Sequence, residues 1–132
     1  MIEAGFPTTA LYVGLNVVIA AGLGVAVTVA RARHEIPDGD GGSAPMRQAI
    51  RAHANNAEYV PIVLIALGAL ESLGASPVLL HGLGGALTVA RLAHAQGMYQ
   101  RSGSSAGRVA GAMITWLVML IAGGASLYHA LV

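Results

Sequence analysis

Arg47, Arg51, Asn55 and Glu58 follow one another at intervals of four, four and three residues. On a helix turning about 100° per residue they fall within about 80° of each other. Tyr59 lies beside them, while His53 and Asn56 fall off this stripe. Guanidinium forks bind carboxylates through paired hydrogen bonds. A single carboxylate such as Glu58 can take an ammonium group. The stripe therefore suits an anionic ligand that also carries one cationic group. More polar residues are expected at the same level: Arg31 at the end of a first helix, and Arg91, His94 and Met98 on one face of a third. Arg108 opens a fourth helix, with Arg101 and the Ser102–Ser105 loop just before it.

The elements that must position these groups are membrane helices. Of 132 residues, 55% are hydrophobic and only 10% charged, and mean hydropathy is +0.67. A soluble domain of this size carries about 25% charged residues. A hydrocarbon core of about 30 Å needs about 20 helical residues to cross it. Four apolar stretches approach or exceed that length, at about 7–30, 57–73, 77–97 and 106–131. Unpaired backbone cannot face lipid, and strand alternation is absent, so the expected fold is all-α. It is an integral membrane four-helix bundle, with residues 1–132 as one transmembrane domain.

All seven basic residues are arginines. They flank two loops, expected at 31–48 and 98–106, and leave the Glu71 turn and both ends of the chain without any. The positive-inside rule makes those two loops cytoplasmic and puts both termini outside. This is the topology expected of a multi-pass protein of a bacterial inner membrane. The segment before the first span has no basic residue and carries Glu3, the apolar run is long and arginines follow it, so the span reads as uncleaved despite a formal Ala30-Arg31-Ala32 site. A net charge of +1 gives no field for nucleic acid. Absence of cysteine excludes a disulfide framework and a cysteine nucleophile. The five histidines show no metal-ligand spacing, so no metal is expected.

The stretch "RQAIRAHANNAEYVP" resembles the signature of the MAPEG family, the membrane-associated proteins of eicosanoid and glutathione metabolism. Arg51, Asn55, Glu58, Tyr59 and Pro61 match its pattern. "ARLAHAQG" resembles the family's third helix through Arg91, Gln96 and Gly97. The resemblance implies a four-helix protomer assembled as a homotrimer that uses glutathione as co-substrate. Arg51, Asn55, Glu58 and Tyr59 would hold the tripeptide, with Arg31, Arg91 and His94 near it. It further implies a lipophilic electrophile or hydroperoxide arriving from the bilayer. An arginine at the start of the fourth helix would stabilise the thiolate, with Arg108 the first candidate and Arg101 the second. Where family members that act on eicosanoids carry tyrosines on the third helix, this chain has His94 and Met98.

Other polar residues fit packing roles. His53 faces away from the stripe and reads as structural. Asn16 reads as an interhelical hydrogen bond, and the Gly107/Gly111 pair as a close helix contact. Two rival readings remain at this stage. One is a binding or scaffold protein of the same fold that takes a lipid or anionic metabolite without turnover. The other is a small multidrug exporter, disfavoured because the first span has no acidic residue at depth.

Overall fold

The first helix does not stop where its apolar residues stop. In the computed structural model, which describes residues 5–100 and 105–132, α1 runs Pro7–His34. Arg31, Ala32 and Arg33 are good helix formers and extend it beyond the span. It ends at Glu35, whose left-handed backbone (φ 54°) turns its N–H onto the Arg31 carbonyl. α2 starts early as well and spans Ala44–Ser72. Ser43 caps it, its hydroxyl accepting from the Met46 N–H at 3.4 Å, and Pro45 sits in the first turn, where a missing N–H costs nothing. The connection expected at 31–48 therefore shrinks to 35–43. α3 is Pro77–Gln100 and α4 is Ala106–Leu131.

Among these helices, α1, α3 and α4 are long and apolar enough to cross a membrane. α2 has 29 residues, but its first half is polar. Pro61 lies inside it, close to where the polar half gives way to the apolar half.

α2 and α3 form the middle of the bundle. α1 packs on both, α4 packs on both, and among the described residues α1 and α4 do not touch. The core lies between Val63, Leu67 and Leu70 of α2 and Leu80, Leu83 and Leu87 of α3. α4 closes it with Val118 and Ala122. Large apolar side chains also cover the outside: Val18 is 72% exposed and Leu120 75%. An apolar outer surface is what lipid requires of a helical bundle.

Small residues set the closest approach, between α3 and α4. A Cβ on Gly111 would sit 2.5 Å from the Ala90 carbonyl oxygen, and one on Gly97 would strike the Arg108 backbone. Gly107 faces the Ala93 carbonyl in the same seam. The close contact expected of Gly107 and Gly111 is thus present. α1 is held by polar ties. Asn16 donates to Thr88 Oγ1 at 3.1 Å, the interhelical bond expected of it. Tyr12 Oη donates to the His81 carbonyl at 3.1 Å.

Candidate functional site

Arg91 sits where α2, α3 and α4 meet, and only 1% of it is exposed. A guanidinium is planar with five N–H groups in a fork. Here Nε donates to Asn56 Oδ1 at 3.2 Å and Nη2 to Asn55 Oδ1 at 2.8 Å. Nη1 reaches Thr115 Oγ1 on α4 at 3.4 Å, and Nη2 lies 3.4 Å from His94 Nδ1. Thr115 passes the bond on, its hydroxyl donating to the Gly111 carbonyl at 2.7 Å. All these partners are neutral acceptors. Among the described residues no carboxylate lies within ion-pair distance of Arg91. Among the described residues the bundle thus holds a positive charge that hydrogen bonds satisfy and that no carboxylate pairs with. Such groups inside membrane bundles are costly and mark functional sites.

The rest of the stripe faces outward on α2. Arg51 Nη1 lies 3.7 Å from Glu58 Oε1, and both side chains are about half exposed (55% and 51%). Asn55 stands between them in sequence and is partly buried. Its oxygen is committed to Arg91, which fixes the carboxamide and leaves its two N–H donors without an acceptor among the described residues. Arg51, Asn55 and Glu58 thus present a cation, a neutral donor and an anion along one face. Tyr59 beside them is partly buried.

The structure brings together Arg51, Asn55, Glu58, Arg91 and His94. Met98 is buried on the same face of α3, as its spacing required. Arg31 is placed otherwise. Its Nη1 donates to the carbonyls of Ile36 and Gly39, at 3.3 and 3.1 Å, and so holds the first loop. Arg108 lies in the first turn of α4. That turn is fastened to α3 by Ser105, whose hydroxyl donates to the Gly97 carbonyl at 2.8 Å. Arg101 lies outside the described residues. Among the described residues no group of three or more His, Asp or Glu is placed to hold a metal ion.

Sequence reasoning left out two members of this network. Asn56 is 2% exposed and belongs to it, although it falls off the Arg51–Glu58 stripe. The signal was present in the doublet Asn55-Asn56, because one guanidinium fork spans two adjacent carboxamides. Thr115, 1% exposed, is the other. It is the one hydroxyl-bearing residue in the apolar stretch 109–125 of α4. The His53 ring packs on α1 instead, where a Cβ on Gly24 would lie 3.6 Å from His53 Nε2.

A four-helix membrane bundle with an arginine-centred polar cluster at one end defines a class of integral membrane protein. Within that class the chain belongs to the MAPEG family, whose model matches residues 9–128. It is similar to the inner membrane protein YecN of Escherichia coli strain K12, 31% identical over 121 residues, 92% of this chain and 91% of that one. The YecN of Escherichia coli O6:H1 matches with the same identity and coverage. No solved structure matches. This is a membrane protein, and its relative is a bacterial inner membrane protein.

Proposed function

We propose that this protein is a glutathione-dependent membrane transferase or peroxidase acting on small lipophilic electrophiles or hydroperoxides. One observation carries the reading: the cation, amide donor and anion on the Arg51–Asn55–Glu58 face, backed by the unbalanced charge of Arg91. An amino-acid headgroup has a carboxylate for Arg51 and the Asn55 amide, and an ammonium for Glu58. Glutathione has such a headgroup, a second carboxylate for the positive field of Arg91, and a thiol. Because the face is open on the protomer, a neighbouring copy in a homotrimer would complete the pocket. The arginine-rich end would face the cytoplasm, where the positive-inside rule puts it.

The thiol is a weak nucleophile until ionised, and a guanidinium beside it favours the thiolate. Arg108, or Arg101, would supply that charge at the start of α4. In transfer, the sulfur lone pair forms the carbon–sulfur bond, the halide leaves with its electron pair, and the thiol proton goes to water. In reduction, two glutathiones give up two electrons and two protons. The hydroperoxide becomes an alcohol and water, and the sulfurs join as a disulfide. Binding thiol and electrophile together raises their effective concentration.

The test is calorimetry of the purified protein with glutathione, followed by turnover of an aryl halide. Micromolar to millimolar binding that falls at least tenfold in Arg51→Ala, with turnover lost, is the expected result. A folded protein that neither binds glutathione nor turns over the halide overturns the proposal. Binding without turnover would favour the scaffold reading.

A further inference from the structure

A second polar groove lies at the same end of the bundle and shares no residue with the Arg51–Asn55–Glu58 face. It has a volume of about 460 Å³, between the last turns of α1, the first turns of α2 and the end of α3. Arg33, His34, Gln48 and Tyr99 supply its polar groups, and Val29 and Ala49 are among its apolar walls. Among the described residues no carboxylate lines it. Glu35, next in sequence to His34, lines a different groove with Arg31 and Ile36. The neighbouring cations are engaged elsewhere, Arg47 with Asp40 and Arg31 with the loop carbonyls. Among the described residues neither Arg33 nor His34 is in an ion pair.

We propose that this groove binds the headgroup of an anionic phospholipid. Its depth fits. The charged residues of α1 begin at Arg31, at the end of a helix apolar enough to span, so the groove lies at the boundary between hydrocarbon and water. Lipid phosphates occupy that level, and basic pockets between membrane helices suit them. Tyr99, 45% exposed, stands at the same level, where tyrosines concentrate in membrane proteins. The Arg33 guanidinium can hold a phosphate through two hydrogen bonds. The His34 ring, the Gln48 amide and the Tyr99 hydroxyl add further hydrogen-bond donors. A lipid fits better than free phosphate because the wall does not end at the groove. Val29, 40% exposed, leads to Val25, 61% exposed, along the outside of α1, a path for an acyl chain. The inference does not depend on the glutathione reading.

The test uses the full-length protein in nanodiscs and native mass spectrometry. Phosphatidylglycerol and phosphatidylcholine of matched chains are compared. Retention of phosphatidylglycerol should exceed that of phosphatidylcholine by about fivefold, the scale set by one basic residue at a charged membrane surface. Arg33→Gln should bring the two close to parity, while Arg33→Lys keeps most of the preference. Hydrogen exchange over residues 26–34 of the unmutated protein should slow with phosphatidylglycerol and not with phosphatidylcholine. This locates the site without any variant, should one fail to fold. Equal retention of both lipids, an undiminished preference in Arg33→Gln, or slowing elsewhere only would each overturn the proposal. Equal competition by soluble glycerol phosphate would overturn the lipid assignment.

Discussion

The two ends of the bundle treat charge in opposite ways. At one end the Glu71 carboxylate accepts from the Thr8 and Thr9 backbone N–H groups, at 2.9 and 2.7 Å. These are orphan donors of α1, which has no side-chain cap of its own. A carboxylate on a helix N-terminus meets both hydrogen-bond donors and the positive end of the dipole. At the other end Arg91 has hydrogen bonds but, among the described residues, no carboxylate within ion-pair distance, and Arg51 and Glu58 pair loosely in the open. Glu71 completes its electrostatics inside the bundle and so fastens α1 to α2. Arg91 does not do so among the described residues, which leaves its field available to a ligand.

The variant that separates the two ends most is Arg91→Leu. It strands the carboxamide oxygens of Asn55 and Asn56 in the bundle, at a cost of about 1–3 kcal/mol. It also removes the positive field behind Asn55 and frees that carboxamide to rotate. Glutathione affinity is expected to fall by more than tenfold, beyond what the loss of stability explains. Calorimetry and thermal unfolding on one preparation check both. Lost stability with unchanged affinity would make Arg91 a structural tie like Glu71, and the contrast would disappear.

The close packing of α3 on α4 transmits a second, smaller effect. Gly111→Val would put a side chain 2.5 Å from the Ala90 carbonyl and 2.7 Å from His94 Cβ. Forcing the helices apart is expected to cost about 1–3 kcal/mol. Because Gly111 also accepts from Thr115, the variant should weaken ligand binding severalfold while leaving the Glu71 end intact. Unfolding curves and hydrogen exchange at Thr8 and Thr9 distinguish a local from a global loss.

What the sequence made legible follows from what periodicity can carry. Apolar runs located four helices, and arginine spacing located the polar end, because both are properties of single helices. The shared face of Arg91, His94 and Met98 was legible for the same reason. Asn56 was not, because its membership depends on where a guanidinium from another helix lands. The role of Arg31 in the first loop was hidden likewise, since its acceptors are backbone carbonyls with no side-chain signature. The contraction of that loop to 35–43 came from a cap at Ser43 and from arginines that continue a helix as readily as they end a span. Glu71 sat in an apparent turn, and only the fold brings it to Thr8 and Thr9.

Glu71→Gln probes the closed end. It keeps the shape and removes the charge that meets two backbone donors. A loss of about 1 kcal/mol, the worth of a helix cap, is expected. Exchange at Thr8 and Thr9 should quicken, and glutathione affinity should not move. A change in affinity would show that the two ends are coupled through α2.

The smallest effect belongs to a third setting, where water screens everything. Asp40 in the first loop accepts from the Gly42 N–H at 3.0 Å and pairs with Arg47 Nη1 at 2.7 Å. The backbone hydrogen bond from Gly42 first, and the Arg47 guanidinium after it, hold its carboxyl below the ordinary value of 3.8. A depressed folded pKa means that the loop gains from ionised Asp40 above the unfolded value. That gain disappears as pH falls through the lower, folded one. The Gly42 amide resonance should therefore titrate with a midpoint below 3.8, and Asp40→Asn should abolish the titration. Salt should weaken the Arg47 contribution, as it does for exposed pairs. Glutathione affinity at neutral pH should be the same in Asp40→Asn, because this pair lies in water and its field does not reach the bundle. A midpoint at or above 3.8 would mean that the loop does not hold these bonds in solution. The polar end would then be ordered by Arg91 and its partners alone.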